Sequence, residues 1–567
     1  MSEPTVSISR FLGAIQTRLN GCVVGYSCVI GDPDFTLPYS WGEARTATDG
    51  LLSFEPSTEF GIASVSKLLT ALAAVRLLDG TQDGLEPPNH LGLTLDDPMF
   101  LALPKGWDIL DPAVREITFR ELLTHTSGLA PEGPGEPQQD YASLEAYITQ
   151  QSVPLVPISG RPAYSNTGFA LFRLLLPMLN GLNDNPGASA DERAEVYALE
   201  YAAVIQNLVF DPVAAGGADT ATPADGNYAF GYWYPWSSPG SDWSTWKYPG
   251  QTLPGQGEPL WAGSGCWWVS IDQMAKVLDS LNRIDGKIIS ATQWNHLQGN
   301  DLPLGVVGFG GPRGFQGLGL GLDSVVDSAT GYRWLEKNGS ASTPQGTMTS
   351  SVAFFGSPTP GPRAGRPTGV PATSKGPLYA ALFINSDIFQ GPGVSAGAGA
   401  QNDWYYCTVC QSLFFAGHGD GQCPVGGGHT GGGEYALTTG QPAGAPPEGQ
   451  SGWKWCSKCQ ALCYEPGTSA YPSICPLDKG QHECPYPPYF LTEIGSATAP
   501  GIATMDLQAD WRWCRKCGVL FFSGINLGHC AAGHEHDPSG SGNYSVLEYP
   551  FDADGVLLGA FYEAIVP

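Results

Sequence analysis

Ser64-Val-Ser-Lys67 opens an apolar run, Leu68 to Leu78, whose pattern is helical. Residues three apart share a helix face, so Lys67 lies one turn on from Ser64 and within hydrogen-bond reach of its hydroxyl. A lysine with its ordinary pKa of about 10.4 is protonated at neutral pH and makes no base. Desolvation, or a second cation close by, favours the neutral amine, which can accept the serine proton. Backbone N–H groups at the helix start favour negative charge developing there. The spacing alone is common: Ser244–Lys247 and Ser451–Lys454 repeat it, but both sit in Trp/Gly-rich stretches and neither precedes an apolar helical run.

Two further segments supply partners. Arg161-Pro-Ala-Tyr164-Ser165-Asn166-Thr-Gly168 places a phenol and a carboxamide in a helix-opening turn, and Trp334-Leu-Glu-Lys337-Asn338-Gly339-Ser340 precedes a strand-like run, Met348–Phe355. With these three segments in order, residues 8–387 resemble the serine β-lactamase and penicillin-binding-protein superfamily, whose motif set is Ser-x-x-Lys, Ser-Asp-Asn and Lys-Thr-Gly. Tyr-Ser-Asn in the second place looks like the class C β-lactamases, their D,D-peptidase relatives and similar esterases. Leu93–Pro98, Ile117–Leu129 and Ala262-Gly-Ser-Gly265 look like the same family. No Ser-Asp-Asn loop or class A deacylating glutamate can be placed.

The resemblance implies roles. Ser64 attacks a carbonyl and forms an acyl-enzyme. Lys67 and Tyr164 share its proton, the phenolate being favoured by Lys67 and Lys337. Asn166 bonds the acyl side of the substrate, and Lys337 holds a substrate carboxylate or tunes Tyr164. Gly339 belongs to the same motif, and the backbone N–H groups of Ser64 and Ser340 form an oxyanion hole. Asn338 stands where the family usually has Thr, which touches carboxylate recognition. His125 falls in a segment that is structural in the family. No cofactor is implied for catalysis.

A second kind of chemistry lies in three copies of one pattern. Cys407-x2-Cys410, Cys423 and His429 recur as Cys456-x2-Cys459, Cys475 and His482, and again as Cys514-x2-Cys517, Cys530 and His536. Each copy also carries a Trp three residues before its first Cys, a Leu three after its second and a late Tyr, so this is an internal repeat. Three thiolates and one imidazole form a tetrahedral zinc set closed to solvent, hence up to three structural Zn2+. Disulfides within a copy leave one thiol unpaired, which favours metal, although the spacing alone leaves both open. Cys463 and Cys484, unique to the second copy, can form a disulfide or act as substitute ligands. Packing is the commoner fate of such tryptophans, with stacking on a sugar as the alternative.

The elements that position these residues follow from periodicity and composition. Helical patterns cover Ser64–Leu78, Thr118–Leu123, Gly168–Leu179 and Ile271–Leu281; strand-like runs cover Cys22–Ile30, Met348–Phe355 and Leu378–Ile384. Ile8 to Leu19 is an amphipathic helix through Ile8, Phe11, Leu12, Ile15 and Leu19. The expected fold is α/β (α+β): a β-lactamase-like antiparallel sheet flanked by helices, an all-helical subdomain, and a small Cys-rich, mainly β/loop repeat module. Residues 1–395 form the hydrolase-like domain and 401–549 the repeats (about 404–437, 453–491 and 511–547), joined by a Gly/Ala linker at 391–400. Gly356–Pro377 is an overgrown hairpin loop. No helix follows Leu378–Ile384 directly, so the apolar pattern Val556, Leu557, Ala560, Phe561 and Ile565 is expected to return as a helix over 552–567 that closes the sheet. The repeats are then an insertion.

Twenty-seven basic against 54 acidic residues give a net charge of −27, which argues against nucleic acid and anionic membranes as partners. Arg76 interrupts the best apolar run and no basic-then-apolar leader opens the chain, so a cytoplasmic location is the default expectation. The expected partner is a small-molecule or peptide-like acyl substrate. The aromatic stretch Tyr228–Trp268 either lines a cleft for a bulky acyl group or packs the domain. The leading expectation is a serine hydrolase or acyltransferase acting on an ester or amide; a β-lactamase proper, or a binding protein that keeps the fold without turnover, are the alternatives.

Overall fold

A computed structural model describes residues 5–566 except 80–88, 130–139, 156–163, 233–261, 299–314, 327–332, 344–345, 357–372, 375–376, 387–399, 417–420, 440–448, 466–472, 486–488, 494–506, 525 and 550–552. Most of the aromatic stretch, the Gly/Ala linker and most of the Gly356–Pro377 loop therefore lie outside the described residues.

Alternation builds the central layer. In Leu378–Ile384, Leu378, Ala380, Leu382 and Ile384 pack on one face while Tyr379, Ala381 and Phe383 pack on the other, so both faces of this strand are covered. It sits inside an eight-stranded antiparallel sheet in the order Leu52–Ser53, Thr36–Arg45, Gly25–Gly31, Leu378–Ile384, Gly346–Phe355, Arg333–Thr343, Asp323–Val326, Phe315–Leu318. The strand expected over Cys22–Ile30 begins only at Gly25, after Cys22 has turned in from the N-terminal helix.

One face of the sheet carries two helices. Ile8–Leu19 is capped by the Ser7 hydroxyl, which accepts from Arg10 N–H, and buries Ile8, Phe11, Ile15 and Leu19. Beside it lies Ala553–Ala564: Phe561 stacks on Phe355 with ring centroids 4.0 Å apart and meets Phe11 edge-on. Arg18 pairs with Glu563 at 2.7 Å. Both chain ends meet in a small antiparallel sheet, where Thr5 pairs with Val566 and Thr373–Ser374 lies on the other side. The chain thus leaves the sheet after Ile384, passes through the repeats and rejoins it.

The other face packs on the helical subdomain and on Ser66–Leu78, which is buried all round except at Arg76; that is why its sequence is apolar rather than amphipathic. The expected helix Gly168–Leu179 starts earlier, at Asn166, and is divided at Leu171 into Asn166–Ala170 and Phe172–Leu179. Ile271–Arg283 starts with a Ser270/Gln273 capping box. Trp267 and Trp268, at the end of the aromatic stretch, are core residues: Trp267 packs with Tyr201 and Phe210, and Trp268 with Tyr228.

The three repeats close on one another. Each copy has a hairpin around its Cys-x2-Cys and a return strand, and the three return strands, Gly431–Thr439, Tyr489–Glu493 and Tyr544–Tyr549, all pair with each other. Trp404 meets Tyr489 edge-on, Trp453 meets Tyr544, and Trp511 meets Tyr435, so each tryptophan packs on the tyrosine of the next copy around a ring. All three tryptophans are fully buried.

Candidate active site and metal centres

Ser64 stands in a tight turn, Ala63–Val65, just before the helix Ser66–Leu78. Ala63 adopts φ +45°, an unfavourable region for a residue with a side chain and one that concentrates at functional turns. Within residues 61–75, Ser64 alone is half-buried and the others are buried. Its Oγ lies 2.7 Å from Tyr164 Oη and 3.0 Å from Lys67 Nζ. Lys67 is completely buried, and its Nζ also donates to Asn166 Oδ1 at 2.6 Å and to the Ser264 carbonyl at 2.7 Å. The loop Ala262–Gly265 thus supplies a backbone acceptor for the amine. The ammonium positions of Lys67 and Lys337 lie 4.9 and 5.9 Å from the Tyr164 ring centroid.

The strand Arg333–Thr343 brings the third segment. A Cβ at Gly339 would stand 2.6 Å from the Ile62 carbonyl and 2.9 Å from Ser64 N, so only glycine lets this strand run against the nucleophile turn. Ser340, next along, is exposed. Lys337 Nζ lies 3.4 Å from Asp323 Oδ2 on the neighbouring strand. Asn338 donates to Glu336 Oε1 and accepts from Ser351 Oγ; Glu336, nearly buried, also accepts from the Trp334 indole. Ser64, Lys67, Tyr164 and Asn166 are joined by hydrogen bonds, with Lys337 and Gly339 on the strand beside them.

Three contributors were not legible as such. His125, with φ +55°, stacks on the Tyr164 ring at 4.5 Å, and its Nδ1 accepts from Ser165 N–H at 3.1 Å. Burial, with the charges of Lys337 and Lys67 adding, holds its imidazole well below the ordinary histidine range. It is therefore a neutral ring that fixes the turn carrying Tyr164. The Ser264 carbonyl is a backbone group without a side-chain signature, although Ala262–Gly265 itself stands out in the sequence. Asp323 lies in a short strand that no motif announces.

In each repeat the four expected ligand atoms gather within 4.8 Å of one another, all on buried residues. Cys514 and Cys530 sulfurs are 3.8 Å apart, and the histidine Nδ1 atoms lie 3.4, 3.4 and 3.5 Å from Cys410, Cys459 and Cys517. A tetrahedral ion with Zn–S of about 2.3 Å and Zn–N of about 2.0–2.1 Å needs edges of about 3.5–3.8 Å, so the donor sets fit a bound metal. Each imidazole's other nitrogen is paired with a carbonyl in the next copy: His429 Nε2 with Cys459, His482 with Cys517, His536 with Cys410. That pairing fixes Nδ1 as the ligand nitrogen and ties each centre to its neighbour. In the third copy it is His536 that joins the three sulfurs in a group able to hold an ion. Phe414 and Phe521 stack on the ligand histidines of copies one and three; in copy two that position is Cys463, a free thiol in contact with Cys484 and Cys456.

The sheet and the helical subdomain are those of the serine β-lactamase and penicillin-binding-protein superfamily. Residues 39–355, more than half of the chain, match the family described as Beta-lactamase, and the chain belongs to that family. Similar solved structures include the octameric penicillin-binding protein homologue from Pyrococcus abyssi (TM-score 0.49, 16% identity, 80% of this chain and 94% of that one). Others are a class C beta lactamase from Rhodobacter sphaeroides (0.43, 18%, 67% and 94%) and a Beta-Lactamase/D-Alanine Carboxypeptidase from Pseudomonas syringae (0.44, 16%, 67% and 93%). No curated protein sequence matches the chain. Among the described residues, no helix is long and apolar enough to cross a membrane.

Proposed function

We propose that the protein is a serine hydrolase or acyltransferase that works through an acyl-enzyme on Ser64, with an ester or amide as substrate. The observation that carries this reading is the contact of Ser64 Oγ with both Tyr164 Oη and Lys67 Nζ. A neutral lysine amine has two N–H donors and one lone pair. The Asn166 and Ser264 oxygens take the two donors, which turns the lone pair to the Ser64 hydroxyl. As Ser64 Oγ bonds to the substrate carbonyl carbon, its proton passes to Lys67 or to the Tyr164 phenolate. The carbonyl electrons move onto the oxygen, which the Ser64 and Ser340 N–H groups stabilise. Collapse of that intermediate expels the leaving group, which takes the proton through Tyr164. Water, or an acceptor alcohol or amine, then repeats the sequence in reverse and frees Ser64.

The repeats form a structural module, an insertion within a hydrolase domain built from residues 1–395 and the terminal helix, with zinc in its three centres. All the ligands are side chains, so no position is left for catalysis there. Cysteine-rich, glycine-rich units of this size have little core of their own and gain stability from such ions. The acidic chain fits an uncharged acyl substrate better than a nucleic acid.

A fluorescent phosphonate tests the central step, because it phosphonylates an activated serine and displaces its leaving group. Wild type is expected to label with one equivalent per chain and Ser64→Ala not at all. Labelling that persists in Ser64→Ala, or no labelling of wild type across phosphonate, β-lactam and ester probes, would overturn the reading in favour of a binding protein.

A further inference from the structure

We propose that Asp323 sets the specificity of the Ser64 site by neutralising Lys337, so that the site takes acyl substrates whose leaving group carries no carboxylate: esters or amides of uncharged alcohols or amines. The inference rests on the serine-hydrolase reading above and names its substrate class.

The placement comes from register. Asp323 pairs with Glu336 across adjacent strands and so stands diagonal to Lys337, and the two charges meet at 3.4 Å. The Lys337 side chain is 4% exposed and that of Asp323 is 20% exposed, so the pair sits where water screens little. Lys337 is the cation that its strand presents beside Tyr164, 5.9 Å from the ring. A carboxylate arriving there meets an ammonium whose field is already cancelled at close range by an acid of its own sign. Lys337 and Asp323 together offer no net positive charge beside Tyr164, and the Asp323 carboxylate repels an incoming one. An uncharged leaving group suffers no such repulsion, and Lys337, held in place by Asp323, still lies beside the Tyr164 phenol that must deliver its proton.

The full-length protein would be assayed with two aryl esters that share one acyl group and differ only in a carboxylate on the leaving phenol, and the ratio of their kcat/KM values read. Wild type is expected to favour the uncharged ester at least tenfold. Asp323→Asn should shift that ratio at least tenfold towards the carboxylate ester, and Asp323→Glu should restore the wild-type preference. A wild type that favours the carboxylate ester, or a ratio that ignores the charge at position 323, would overturn the proposal while leaving the hydrolase reading intact. Turnover of neither ester, with no phosphonate labelling of Ser64, would overturn both.

Discussion

His125 shows how one buried side chain can support a reacting one without touching substrate. Its ring lies against Tyr164, and its Nδ1 receives the Ser165 N–H, so protonation there would break the bond that shapes the turn. The folded protein holds the imidazole neutral, whereas the unfolded chain protonates it below about pH 6.5. The folded pKa is depressed, so this contribution to stability is fully present above about pH 6.5 and is lost as pH falls, by up to about 1.4 kcal/mol per pH unit. His125→Asn should therefore lose less stability than wild type between about pH 7 and about pH 5, read as denaturant midpoints. Equal acid losses in the two proteins would rule out the neutral buried ring. The sequence marked His125 only as part of a structural segment. Its contact with Tyr164 spans 39 positions of chain and depends on a left-handed backbone angle that no spacing encodes.

Among the elements, the strand Arg333–Thr343 and the turn Ala63–Val65 meet at a place that matters for chemistry. Gly339 lets the strand lie against the Ile62–Ser64 backbone. Gly339→Ala puts a methyl against the Ser350 hydroxyl and against two backbone atoms, Ile62 O and Ser64 N, that cannot swing away, so strand or turn must shift. A displacement of that kind is expected to lower the acylation rate of Ser64 by about 10²-fold, measured by stopped-flow labelling. A control comes from Gly13 in the N-terminal helix, where an added Cβ meets nothing within 4 Å. Gly13→Ala should stabilise the protein by about 0.5–1 kcal/mol and leave acylation unchanged. Full acylation by Gly339→Ala would show that the strand does not need this close approach.

At the scale of the whole molecule, two closures organise the chain. The first is the return of the terminal helix to the sheet, where Phe561 fills the space between Phe11 and Phe355. The second is the ring of repeats, in which the histidine of each candidate metal centre is held by a carbonyl of the following copy. Because those bonds orient the ligands, the three centres should fill and empty together. Wild type is expected to carry three metal ions in native mass spectrometry. His482→Ala should lose more than one equivalent and melt earlier, and chelation of the wild type should act the same way. Loss of a single ion with the other two held as tightly as before would make the copies independent.

Ser64 and Lys67, and the Cys/Cys/Cys/His sets, could be read directly because their geometry is local: one helical turn brings residues three apart together, and a Cys-x2-Cys turn brings two sulfurs to one point. Strand-like composition likewise marked Met348–Phe355 and Leu378–Ile384, both covered on two faces; the second is a continuous apolar run, while the first carries Thr349, Ser350 and Ser351 in its middle. Only tertiary structure could place Asp323 against Lys337, give the second nitrogen of each histidine to the next copy, and put Ser264's carbonyl on Lys67. Those contacts depend on strand register and on closure of sheet and ring. Such relations are settled by burying the most apolar surface over the whole chain at once, and no short stretch of residues carries that information.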